Sequence, residues 1–443
     1  MEQKAIVSRD SYVKRLMDSR GNGMVKVLVG LRRCGKSFLL FRLFKNRLVS
    51  EGVPVGSIVE IALDARENAS LRDPDALGEA LCSRLAAVRG PAYVFLDEIQ
   101  LVRSVNRSGL RRDRVAPEDA PFLETTFYDV LNEVAARPDT EVFVTGSNSK
   151  MLSRDVATQF RGRGDVIPVR PLSFAEFLPA HGGEKAEAWE SYATFGGMPA
   201  AALMSSDAEK ERYLKDLFRS VYLSDIVERL GIRDELRLDR LVNMLASAVG
   251  SLTNPARLSR AMGTAFREAP DPHTVKRDLD ALEDAFLFAK ADRWDVKGGR
   301  YLDYPSKWYA TDVGLRNARL NFRQMEPTHI QENVLYNELA GRGWSVDVGV
   351  VPVETRTGGV YSKTNHEIDF VINRGFRRVY LQSAFRMDDP EKRERELLPL
   401  LKTGDFFRKI VVTGGFEKPW MDEKGILRVG LVPFLLDPAI LES

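Results

Sequence analysis

Apolar residues gather in short unbroken runs through the first third of the chain and in helically spaced stripes beyond it. The runs at 25–29, 57–63, 92–96 and 141–144 are rich in β-branched and aromatic residues. Such runs predict strands buried on both faces of a parallel sheet. Between them, 38–43 and 75–88 carry apolar positions at helical spacing. This alternation predicts an α/β fold in which a parallel sheet has helices on both faces, filling residues 1–179. A helical connecting region, 180–234, includes a stripe of Tyr213, Leu217, Val221, Ile226 and Leu230. Residues 235–322 then offer an amphipathic helix at 236–249, a short helix from Asn254-Pro255 and a third from Asp271-Pro272. Two short strands around a glycine turn follow at 294–302, and three helices with a hairpin predict a winged helix. The remainder, 323–443, reads as a small second α/β domain: helix 330–339, strands 367–372 and 379–384, helix 391–401 and strand 409–412.

Chemistry concentrates where the first strand meets the first helix. Gly30-Leu31-Arg32-Arg33-Cys34-Gly35-Lys36-Ser37 is a G-x-x-x-x-G-K-S loop running directly into Phe38 and the helix beyond. Strand, loop and helix in that order wrap backbone amides around the phosphates of a nucleoside triphosphate. Gly30 and Gly35 allow backbone angles closed to other residues. Lys36 reaches the β- and γ-phosphates, Ser37 binds Mg2+, and the helix turns its positive end to the anion. The expected cofactors are therefore ATP and Mg2+. Asp97 and Glu98 end the third apolar run, so Asp97 is expected to help hold the metal and Glu98 to polarise the attacking water. Ser147 or Asn148, ending another run, can reach the γ-phosphate or the water, although Asn148 or Ser149 would also serve as an ordinary helix cap.

Further residues carry a family likeness. The stretch TGSNSKMLSRDVATQFRGRGDVIPVRPLSFAEFL from Thr145 to Leu178 precedes Phe195-Gly196-Gly197-Met198-Pro199. With GLRRCGKS and FLDEIQ, it resembles the bacterial and archaeal AAA-superfamily ATPases whose C-terminal half is catalogued only as a domain of unknown function. The resemblance implies that Arg163 matches the arginine these ATPases place against a γ-phosphate, in the same chain or in a neighbour. A surface arginine pairing with Asp155 or Asp165 is the alternative.

The helix residue Glu332 and the strand residue Asp369 sit in an element order that resembles restriction-endonuclease-like nucleases, where such carboxylates bind magnesium. The resemblance also calls for an acid-x-lysine triplet on the next strand, and this chain has Gln382-Ser383-Ala384 there. Arg386 lies two residues farther along the same face. A nuclease-like scaffold without cleavage is the expectation.

Composition adds exclusions. Lys plus Arg number 65 against 63 Asp plus Glu, a net charge of +2, so no global basic field demands nucleic acid. Two cysteines, Cys34 and Cys82, exclude a disulfide framework or four-cysteine zinc site. Cys34, within the loop, is expected to make the site sensitive to thiol reagents. No secretory pattern opens the chain and no run is long enough to cross a bilayer, so a cytoplasmic location with no membrane partner is expected. The expected partners are ATP and ADP, further copies of the chain, and nucleic acid. Nucleic acid would contact the arginine-rich segment from Arg103 to Arg114 and the winged helix, through His273, Thr274, Lys276, Arg277, Lys297 and Arg300. Both features also have plain structural readings, a solvated insertion and a packing module. Three outputs fit: a partner-remodelling ATPase, a slow nucleotide-dependent assembly switch, or an ATP-controlled nuclease.

Overall fold

The computed structural model describes residues 6–106, 123–147, 160, 162–223, 226–228, 232, 234–266, 269–357 and 360–442. The chain divides into two compact units, one spanning Ser8–Arg170 and the other comprising the described residues before Ser8 together with those from Pro171 onward.

The first unit is an α/β layer structure around five parallel strands: β1 (Val25–Val29), β2 (Ile58–Ala62), β3 (Ala92–Asp97), β6 (Thr140–Gly146) and β7 (Gly164–Pro168), in the order β2-β3-β6-β1-β7. A two-stranded ribbon of β4 (Val105–Asn106) and β5 (Glu124–Thr125) stands apart from this sheet. Every residue of β1 and β3 is buried, as unbroken apolar runs require. Lys26, the polar residue inside β1, is also buried and pairs with Glu141 on β6. Helix Asp10–Asp18 packs with the helix after the phosphate loop, and Pro74–Ala86 packs with Phe127–Ala135. Asp73 caps Pro74–Ala86 by accepting from the amides of Asp75 and Ala76, both at 3.0 Å. The predicted helix at 38–43 is present with a difference: Leu39–Phe44 has the wider π-helical winding between α-helical turns at Lys36–Phe38 and Lys45–Ser50. Phe44 packs there against Phe95 and Phe143.

In the second unit, helices Glu235–Ser247, Pro255–Phe266 and Pro272–Asp284 precede the hairpin β8 (Phe288–Asp295) and β9 (Arg300–Ala310). The hairpin is longer than the sequence predicts, and it is joined to a larger sheet. β8 pairs in parallel with β10 (Ser345–Thr357). An eight-stranded sheet results, in the order β14-β15-β13-β12-β11-β10-β8-β9. Its other strands are β11 (Val360–Arg374), β12 (Arg377–Ala384), β13 (Arg408–Thr413), β14 (Trp420–Met421) and β15 (Leu427–Gly430). Helix Pro327–Gly341 contacts β9, β10, β11 and β12. Among the described residues no helix is long and apolar enough to cross a membrane.

Candidate nucleotide site

The loop between β1 and the helix beginning at Lys36 takes a conformation only its sequence permits. Gly30 has φ 148° and Gly35 φ 97°. A Cβ on Gly30 would overlap the carbonyl oxygen of Val169, so the close approach of β7's extension requires glycine. Arg33 adopts φ 61° without being glycine. Leu31 and Cys34 are buried and anchor the loop from beneath, whereas Arg33 and Phe38 are exposed at its rim. Cys34 Sγ donates to Val169 O at 3.3 Å. Its thiol thus faces the protein interior, which corrects the expected sensitivity to thiol reagents. Arg9, itself buried, donates to Cys34 O at 3.2 Å and to Arg170 O at 2.9 Å, tying the loop to the chain after β7. Lys36 is buried with its ammonium inside the loop, donating to Gly30 O at 2.9 Å and Leu31 O at 3.0 Å.

The parallel pairing of β1, β6 and β3 brings three strand ends together. Ser37 Oγ donates to Asp97 Oδ1 at 2.9 Å, although 60 residues separate them. Thr145 Oγ1 donates to the same carboxylate and accepts from Glu98 N at 3.0 Å. Burial raises the Asp97 carboxyl above its ordinary range, opposed by hydrogen bonds from Thr145 and Ser37. A divalent cation beside it would oppose that cost by the same logic, and Ser37 with Asp97 supplies the hard oxygen pair that Mg2+ prefers. Glu98 sits at φ 53°, which turns its side chain away from the strand direction. Its Oε2 accepts from Ser147 Oγ at 3.0 Å and from Gln100 Nε2. Gln100 also reaches Ser147 Oγ at 3.1 Å, and Arg32 Nε approaches that oxygen at 3.4 Å.

Not every expected residue is brought here. Arg163 is exposed, and its carbonyl oxygen accepts from Val25 N at 2.8 Å at the amino end of β1, whereas the phosphate loop leaves the carboxyl end. Five strand residues, about 16 Å, lie between those ends. Asn148 and positions 107–114 of the arginine-rich segment lie outside the described residues. Of that segment, Arg103 N donates to Arg72 O at 2.8 Å and 105–106 form the ribbon with 124–125. In the helical part of the second unit, His273, Lys276 and Arg277 are exposed on helix Pro272–Asp284, while Asp278 is buried and paired to Arg237 at 2.8 Å. Lys297 donates to Pro352 O at 2.8 Å. Thr145, Gln100 and Arg9 are site residues that sequence reading missed. The only sequence signal for Arg9 is an arginine just before a charged, amphipathic helix, which has many ordinary causes.

The carboxylates expected from the second resemblance also converge. Glu332 on helix Pro327–Gly341 and Asp369 on β11 both face Lys307 of β9. Burial pushes the Glu332 carboxyl up to about 7, with Lys307 opposing and Asp369 adding to the rise. Lys307, Tyr309, Glu367 and Asp369 are the titratable groups around it. A carboxyl whose folded pKa lies above its unfolded value binds more protons when folded. Its contribution is full below the unfolded pKa and is lost as pH rises through the folded one. The melting temperature of wild-type protein is therefore expected to fall between about pH 5 and pH 8 more steeply than that of Glu332→Gln protein. Parallel melting curves for the two would remove Glu332 from that role.

The profile of an AAA domain matches residues 22–178, and that of a domain of unknown function matches 186–326. An uncharacterized protein of Haemophilus influenzae is 30% identical over 439 residues, covering 98% of this chain and 99% of its own. An uncharacterized protein of Methanocaldococcus jannaschii is 27% identical, covering 97% and 90%. Among solved structures, a Walker-type ATPase of Pyrococcus abyssi is 16% identical, covers 71% of this chain and 96% of its own, and gives a TM-score of 0.48.

Proposed function

Because the chain belongs to the bacterial and archaeal family of AAA-domain ATPases that carry a C-terminal domain of unknown function, we propose that it hydrolyses ATP with Mg2+ to remodel a partner, with nucleic acid the first class to test. The 2.9 Å hydrogen bond from Ser37 to Asp97, with Glu98 adjoining, carries this reading. A hydroxyl and a carboxylate adjoining at the end of the G-x-x-x-x-G-K-S loop support a metal-holding role for the pair, and a second carboxylate one residue away supports a role for Glu98 toward water. Loop amides from Gly30 to Ser37 and the ammonium of Lys36 hold the β- and γ-phosphates. Ser37 and Asp97 would hold Mg2+, which would supply charge neutralisation to the phosphates when bound. Glu98 accepts a proton from water as its oxygen bonds to the γ-phosphorus and the bond to the β–γ bridging oxygen breaks, leaving ADP and phosphate.

Ser147 and Gln100 both hold Glu98 Oε2, and those hydrogen bonds must be shared or released when the carboxylate takes a proton. That engagement supports slow basal turnover with stimulation by the correct partner. ATPase rates with and without DNA, RNA and cell extract test it. A several-fold rise with one addition is expected, and a fast rate indifferent to all three would contradict coupling.

Arg163 is proposed to act on a γ-phosphate in a neighbouring copy, since its own chain places it at the far end of the sheet. Mixing Lys36→Ala chains with Arg163→Ala chains is expected to restore turnover that neither has alone. No restoration, in a mixture shown to co-assemble, would count against action between copies.

A further inference from the structure

Lys307 is the cation of the second unit's acidic cluster. Its side chain is 3% exposed, and its ammonium lies 2.8 Å from Glu332 Oε1, 2.7 Å from Glu367 Oε1 and 3.4 Å from Asp369 Oδ1. An ammonium has three N–H donors and no acceptor. Each donor here faces a carboxylate from a different residue. Burial disfavours the charge on Lys307, but Glu332, Asp369 and Glu367 together outweigh that and raise its pKa.

Two further donors reach these carboxylates. Tyr309, buried next along the same face of β9, donates to Glu332 Oε1 at 2.7 Å. Ser383 N donates to Asp369 Oδ2 at 2.9 Å. Gln382, where the resemblance calls for an acid, accepts from Asp369 N at 3.3 Å and donates to Glu396 Oε2 at 2.9 Å. It acts as a neutral link between two strands and a helix.

A hard divalent cation needs several oxygens at about 2.0–2.6 Å around one centre. That centre is where Lys307 Nζ sits, and a second positive charge beside a buried ammonium is repelled strongly. Among the described residues no group of three acidic, histidine or cysteine side chains is arranged to hold a metal ion. The magnesium implied by the nuclease likeness does not fit this cluster, and no cleavage step is derived through it.

We propose that Lys307 is a built-in counter-ion that replaces a divalent metal at Glu332, Glu367 and Asp369, making the cluster a metal-independent clamp between β9, β11 and helix Pro327–Gly341. The acids come from a helix and a strand in the order of a metal site, while the neutralising charge comes from a different strand. The clamp holds the hairpin to the sheet whether or not metal is present, so the second unit keeps its shape through changes in free Mg2+.

Binding of Mn2+ to nucleotide-free full-length protein, read by the electron paramagnetic resonance of free Mn2+, tests this. Wild-type, Asp369→Asn and Glu367→Gln proteins are expected to take up the same number of ions. Lys307→Met protein is expected to take up one more Mn2+ per chain, which a Lys307→Met, Asp369→Asn double variant does not. Loss of one bound Mn2+ on changing Asp369 or Glu367 in otherwise wild-type protein would overturn the proposal. A folded Lys307→Met protein that gains no ion would overturn it too. Should Lys307→Met protein fold only when Mn2+ is added, the counter-ion role is supported. Should it not fold under either condition, the wild-type comparison decides.

Discussion

Lys36→Ala protein is expected to lose tight ATP binding, its affinity falling at least about 100-fold. The ammonium is buried in the loop and aimed at the carbonyl oxygens of Gly30 and Leu31, so it sits where phosphate charge must be met. Alanine removes that charge without supplying another. The substitution removes the ammonium's bonds to Gly30 O and Leu31 O but leaves the backbone angles of both glycines and the Arg9 and Cys34 contacts to hold the loop. Unchanged circular dichroism alongside lost binding separates the phosphate contact from unfolding. Affinity within about 3-fold of wild type would show that Lys36 does not contact the nucleotide.

Glu98→Gln protein is expected to bind ATP as wild type does and to lose turnover by about 100-fold to 10,000-fold, the range for removing a positioned general base. Glutamine keeps the length of the side chain and can still meet Ser147 and Gln100. It cannot take the proton of water. The metal pair, Ser37 and Asp97, is untouched, so binding persists. Single-turnover measurements with bound ATP isolate this step, and an unchanged rate would give the proton to another group. Thr145 is not that group. It is committed to Asp97 and to the amide of Glu98, and it sets the angle at which the acidic pair leaves the strand.

The parts of this architecture that were legible in sequence are those fixed by local rules. An apolar run ending in Gly30 and a helix opening at Lys36 demand a particular turn, and both glycines take the angles that turn needs. The three helices from Glu235 likewise follow from local signals, apolar spacing and the Asn254-Pro255 and Asp271-Pro272 starts. Long-range partners were not legible. Thr145 meets Asp97 across 48 residues because β3 and β6 run parallel in one register, and spacing along the chain does not state a register. The hairpin after the helices looks complete in itself as two short strands. Its pairing with β10, which makes it the edge of an eight-stranded sheet, depends on a strand some 50 residues on. Lys307 left one faint trace, a lysine between Ser306 and Trp308 in a strand that buries all three. Lys26 left the same trace in β1, and Glu141 answers it. A lysine inside a buried strand signals an acid elsewhere, but not which acid.

Isothermal calorimetry of Mg2+–ATP into folded wild-type protein addresses the central claim directly. The geometry of residues 30–37 with Asp97 and Glu98 predicts saturable binding at one site per chain, abolished in Lys36→Ala protein. Heats no larger than dilution, from protein whose circular dichroism shows it folded, would contradict it.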